Sequence, residues 1–143
     1  KNPARLQRAR ADLLIDVNEQ SVTDAIDAPV DAIVEASGSM TALKEALPLL
    51  ADGGTILLLG YYQTLELLYM PLFLKEARLL TAKEWGDNDL ARSRNMIDDG
   101  LLMVQSLLTH ETPVNNISDA YQTALNDPDC LKLVLDWSAL DNK

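Results

Sequence analysis

Apolar positions along this chain fall into two rhythms. Up to about residue 84, short unbroken apolar runs alternate with stretches where apolar residues recur every three or four positions. The runs at residues 13–16, 31–36, 55–59 and 78–82 read as strands, the later ones rich in Ile, Val and Leu. Met40, Leu43, Ala46, Leu47 and Leu50 keep helical spacing, and Asp52-Gly53-Gly54 reads as the stop of that helix. Asn2-Pro3 reads as the cap and first position of a short helix running to about residue 12. Residues 19–29 read as loop with a turn of helix at Val22 and Ile26, and residues 73–76 as a short helix.

After Trp85 the rhythm changes. Asp87-Asn88-Asp89 offers a helix cap, Leu90, Ile97 and Leu101 continue a stripe, and Gly100 marks its end. A short strand is expected at 107–109. A helix follows, capped by Asn115 or Asn116 and stopped by Asn126-Asp127-Pro128, and the last strand is expected at 131–137. Unbroken apolar strands alternating with amphipathic helices predict an α/β fold, a parallel sheet covered on both faces. No internal repeat or low-complexity segment interrupts it.

Composition narrows the function classes. With 143 residues, 48% hydrophobic and 24% charged, the chain is globular rather than disordered, one domain or a domain and a half. Twelve Lys+Arg against 22 Asp+Glu give a net charge of −10, which argues against nucleic acid as a partner. No apolar run approaches the ~18 residues a bilayer crossing needs, so no membrane insertion is expected. Lys1, Arg5, Arg8 and Arg10 are followed by no apolar stretch of the secretory kind. The single cysteine, Cys130, excludes an internal disulfide framework and a cysteine-rich zinc site, and fits a cytoplasmic location.

Candidate chemistry is sparse. Ser37-Gly38 and Gly60-Tyr61 stand at strand ends, where open parallel sheets take ligands and where a missing Cβ lets a ring approach the backbone. Plain turn residues would look the same. Tyr61-Tyr62 would either wall such a cleft or simply pack. His110 reads as a structural histidine before a proton relay, Cys130 as a small buried hydrophobe, and Asp98-Asp99 as a solvated face. There are no paired carboxylates, no metal cluster, no glycine-rich dinucleotide fingerprint and no phosphate loop.

Four segments in order resemble the second half of the medium-chain dehydrogenase/reductase superfamily. Val30-Asp31-Ala32-Ile33-Val34-Glu35-Ala36-Ser37-Gly38 is similar to its fourth Rossmann strand, and Gly53-Gly54-Thr55-Ile56-Leu57-Leu58-Leu59-Gly60 to its fifth. Leu107-Leu108-Thr109-His110 and Leu131-Lys132-Leu133-Val134-Leu135-Asp136 resemble its returning C-terminal segment. Within the superfamily, Glu76-Ala77-Arg78-Leu79, Ala82-Lys83-Glu84-Trp85 and the stretch from Asp127 to Trp137 resemble the bacteriochlorophyll-synthesis dehydrogenases. That resemblance implies NAD-dependent oxidation of the 3-(1-hydroxyethyl) group of a bacteriochlorophyllide, a tetrapyrrole, to 3-acetyl. A polyol or simple alcohol dehydrogenase of the same superfamily, or a non-catalytic α/β interaction module, are the alternatives.

The resemblance also implies an organisation. Residues 1–84 would be a truncated Rossmann-type domain, its helices on both faces, whose first strands and glycine-rich turn precede residue 1. Residues 85–143 would be the C-terminal segment returning toward a missing catalytic domain. Its implied cofactor is NAD; the expected zinc ligands and proton acceptor fall outside these segments, which leaves zinc open and the catalytic residues unknown. Among cofactor positions, Arg5 corresponds to a contact on the adenosine ribose. Ala36, Ser37 and Gly38 line the cleft after the fourth strand, and Leu59, Gly60 and Tyr61 flank the nicotinamide. Trp85 lies near that ring or the substrate, and Lys132 corresponds to a cation for the pyrophosphate. Tyr61, Tyr62, Leu68, Tyr69, Met70, Phe73 and Trp85 are candidates for an apolar substrate wall, with residues 68–73 alternatively at the edge of a homodimer.

Overall fold

Most of the apolar runs find strand partners in the computed structural model, which describes residues 3–140. In chain order the elements are α1 (Pro3–Arg8), α2 (Val22–Ala25), β1 (Val30–Glu35) and α3 (Met40–Ala46), the last running into a 3-10 turn (Leu47–Leu49). Then come β2 (Leu50–Leu58), α4 (Tyr69–Leu74), β3 (Arg78–Thr81), α5 (Asp89–Asp98), β4 (Leu108–Pro113), α6 (Ile117–Asn126) and β5 (Lys132–Asp136). The Asn2 cap expected at the start lies outside the described residues. They form two compact units, one of Ile15–Glu84 and one of the described residues on either side of it.

The first unit is a parallel sheet in the order β1-β2-β3. Leu43 and Leu47 come from the helical spacing seen in the sequence. They meet Leu50, Ile56 and Leu58 in the buried core, with Leu67 and Leu72 packed against it. Ser39 starts α3 by accepting a hydrogen bond from the Ala42 amide at 3.2 Å. Strand alternation sends the next residues the other way: Val34, Leu57 and Leu80 stand in register on the opposite face. There Val34 is 60% and Leu80 52% exposed, so one face carries the buried core.

Two expectations fail here for physical reasons. Asp52-Gly53-Gly54 does not end a helix; β2 begins earlier, at Leu50, and runs straight through it. While β1 advances two residues from Val30 to Ala32, β2 advances five from Leu50 to Thr55. The excess is a bulge, and Gly53 takes the left-handed φ of +72° that it needs. Residues 13–16 are not a strand: Leu13 and Leu14 are exposed and no neighbouring strand pairs with the run.

In the second unit β4 and β5 pair in parallel, joined by α6 as the crossover. Ala120 of α6 and Cys130 are buried. Leu90 and Ile97 of α5 and Leu101 beyond its end are all exposed. No helix among the described residues is long and apolar enough to cross a membrane.

Candidate functional site

β1 ends on an acidic residue, Glu35, which is 6% exposed. A buried carboxylate requires donors, and the chain supplies them within three residues. Ser37 gives its amide at 2.8 Å and its hydroxyl, and Gly38 its amide at 3.0 Å. Burial pushes the Glu35 carboxyl upward, but these bonds and the Ser39 amide outweigh it and hold the group below the ordinary glutamate range. The side chain thus curls the Ser37-Gly38 turn around itself. Its main-chain carbonyl meanwhile accepts the amides of Leu59 at 2.7 Å and Gly60 at 3.0 Å.

These bonds set the end of β1 against the end of β2, backbone to backbone. A Cβ on Gly60 would lie 2.7 Å from Glu35 Oε2 and closer still to the Gly38 backbone. Gly38 has a φ of +73°, and a Cβ there would lie 2.7 Å from the Tyr61 carbonyl oxygen. Beyond the tips opens a cleft of about 640 Å³, lined among others by Leu59, Gly60, Tyr61, Leu65, Thr81 and Ala82. It sits at the carboxyl ends of β2 and β3, where parallel sheets take ligands, and has the volume of a small-molecule site. Tyr61 is 97% exposed beside it. Tyr62 also lines the cleft, yet it packs on the core, and its buried hydroxyl has no partner among the described residues.

The second unit places its candidates differently. Arg5 donates from Nε to the Pro128 carbonyl at 2.6 Å and from Nη2 to the Cys130 carbonyl at 3.2 Å. His110 pairs through Nε2 with Asp127 at 3.3 Å and through Nδ1 with the Thr109 hydroxyl at 3.0 Å. That hydroxyl accepts the Leu131 amide at 2.9 Å. Lys132 and Trp85 are exposed. No cluster of three or more metal-ligating side chains occurs among the described residues.

No family model matches the chain. Curated proteins do. Over 109 residues it is 41% identical to 2-desacetyl-2-hydroxyethyl bacteriochlorophyllide A dehydrogenase of Cereibacter sphaeroides, covering 76% of the chain and 34% of that protein. The protein of the same name from Rhodobacter capsulatus is 41% identical over 107 residues, 74% of the chain and 34% of its own length. The chain therefore spans about a third of the length of these relatives. Among solved structures, it superposes with a TM-score of 0.79 on a protein of Escherichia coli CFT073 described as a short chain alcohol dehydrogenase, complexed with NADH. The two are 22% identical, over 94% of the chain and 42% of that structure. L-idonate 5-dehydrogenase of Escherichia coli K-12 gives a TM-score of 0.78 at 20% identity, over 92% of the chain and 40% of that structure. The chain belongs to the medium-chain dehydrogenase/reductase family.

As a segment of a medium-chain dehydrogenase/reductase it has the family's Rossmann-type parallel fold. Of the residues singled out in the sequence, Ala36, Ser37, Gly38, Leu59, Gly60 and Tyr61 gather at the two adjoining strand ends of the first unit. Arg5, Trp85 and Lys132 belong to the second unit. The two glycines let the tips pack backbone to backbone, and the cleft beside them is lined by Leu59, Gly60 and Tyr61 of the β2 tip. Sequence reasoning missed Glu35, the residue that organises this end of the sheet. A signal was present, because an acidic residue that closes an apolar strand just before Ser-Gly must recruit nearby amides if it is buried.

Proposed function

We propose that this chain forms the nicotinamide-side wall of the coenzyme cleft in an NAD-dependent dehydrogenase that oxidises the 3-(1-hydroxyethyl) group of a bacteriochlorophyllide to 3-acetyl. One observation carries the reading: two strand tips pack backbone to backbone through Gly38 and Gly60 beside a cleft that Leu59, Gly60 and Tyr61 line, in a chain 41% identical to dehydrogenases named for that substrate. NAD bound there would supply the hydride acceptor for the alcohol carbon. The chain's own part is orientation. The Glu35 knot fixes the Ser37-Gly38 turn, Gly60 holds the second tip flush with it, and Leu59 and Tyr61 offer the surface on which a ring lies.

Lys132, exposed at the start of β5, supplies a cation for the diphosphate. The apolar substrate rests against Tyr61 and the exposed side chains that follow it, where the Tyr69 and Phe73 rings stack at 5.6 Å. Two copies pair along β3, an edge strand exposed at all four residues. The location is cytoplasmic, in keeping with a lone, buried, reduced Cys130.

Turnover tests the reading. Given NAD and the hydroxyethyl bacteriochlorophyllide, the protein at the full length of its relatives is expected to form the acetyl product and one reduced coenzyme per product. Turnover of sorbitol-type or simple alcohols in its place would overturn the substrate assignment, and absence of coenzyme reduction with any alcohol would overturn the whole.

A further inference from the structure

The first unit holds a second, larger cavity, at the opposite end of β2 from the Gly60 tip. Its volume is about 930 Å³, against about 640 Å³ for the coenzyme cleft. Leu47, Leu67, Leu68 and Pro71 give it an apolar lining, and Lys44, Lys75 and Glu66 are its charged groups. Lys75 is partly buried, and its ammonium donates to the main-chain carbonyl of Leu50, the first residue of β2. An ammonium has three donors, and one neutral carbonyl does not balance its charge. Among the described residues neither Lys44 nor Lys75 has an ion-pair partner. Two lysines against one glutamate leave the lining one net positive charge, in a chain whose total is −10.

We propose that this cavity binds an amphipathic monocarboxylate, its apolar body on Leu47, Leu67 and Pro71 and its carboxylate at Lys75 with Lys44 alongside. An apolar cavity with a few convergent polar groups is the form small-molecule sites take. A carboxylate there supplies the counter-charge that the protein leaves out. The site shares no residue with the coenzyme cleft, and of the candidate substrate wall it shares only Leu68.

Calorimetric titration of the chain with sodium decanoate, using decan-1-ol as the uncharged control, tests it. One decanoate is expected per chain, bound about tenfold more tightly than decanol, the order expected of one charge-assisted hydrogen bond. Lys75→Gln should erase that difference. Since Lys75 also holds β2, Lys44→Gln and Glu66→Gln keep the test independent of its folding role. Lys44→Gln should weaken decanoate binding and Glu66→Gln should tighten it, each by roughly threefold, as befits exposed charges. Equal affinity for decanol and decanoate would overturn the proposal, as would Glu66→Gln binding no tighter than the parent chain.

Discussion

Glu35 Oε2 and the α-carbon of Gly60 face each other so closely that an added Cβ would lie 2.7 Å from the carboxylate oxygen. One residue closes β1 and the other follows β2, so the contact ties two strand ends together. The Gly60 amide also donates to the Glu35 carbonyl at 3.0 Å. The same glycine is therefore held by hydrogen bonding and required by space. Gly60→Ala should press on the Gly38 backbone, which has no flexible side chain to move aside. The expected loss is about 1–3 kcal/mol, the usual cost of overpacking. Urea unfolding of the two proteins measures it, and an unchanged midpoint would show that the tips are looser than described.

Glu35 should stay ionised to lower pH in the folded chain than in the unfolded one. Its folded pKa lies below its unfolded one, since the Ser37, Gly38 and Ser39 donors outweigh the effect of burial. A group of this sign contributes its full stability above the unfolded value, about 4.3 for glutamate. The contribution is lost as pH falls through the lower, folded value. Glu35→Gln sets an amide against those N–H donors and should cost about 1–3 kcal/mol at neutral pH. The gap between the variant and the parent should narrow below pH 4. Asp136, which is held low by the Ser138 amide and hydroxyl, stays in both proteins and leaves a shared acid slope. Parallel stability curves from pH 7 to 3 would contradict the Glu35 assignment.

Tyr62 should be more useful to the core without its hydroxyl. The ring packs beside the Leu43, Leu47 and Leu58 cluster while the buried oxygen has no partner among the described residues. An unsatisfied buried polar group costs about 1–3 kcal/mol. Tyr62→Phe keeps the ring and should raise the melting temperature, an outcome that calorimetry checks directly. A lower melting temperature would mean that the hydroxyl has a partner in solution.

How legible each part was depended on whether its cause is local. The β1 and β2 apolar runs, the Met40 to Leu47 spacing and the final strand were readable because period and turn chemistry suffice for them. The adjoining Ser37-Gly38 and Gly60 tips followed from parallel pairing of those strands. The early start of β2 was not readable: a glycine pair that resembles a helix stop serves equally well as a bulge, and only the partner strand decides. Helix α4 begins at Tyr69, four residues before the expected start, because Leu72 and Leu67 are drawn onto the core. Arg5 illustrates the limit most clearly, since its carbonyl partners lie more than 120 residues away along the chain.

Arg5 also supports the last prediction. Its guanidinium bridges the carbonyls of Pro128 and Cys130, which flank the turn leading into β5. The same turn is held from the other side, where His110 pairs with Asp127 and the Thr109 hydroxyl accepts the Leu131 amide. Lys132 is the next residue, so α1 and β4 together fix the start of the strand that presents it. Only a guanidinium offers two donors at the fixed spacing that this grip uses. Arg5→Lys keeps the charge but loses the fork, and should destabilise the chain by about 1–2 kcal/mol. Amide exchange at Leu131 to Leu133 should accelerate with no coenzyme present. An Arg5→Lys chain that melts and exchanges like the parent, and differs only when NAD is added, would move Arg5 from holding the turn to holding the ligand.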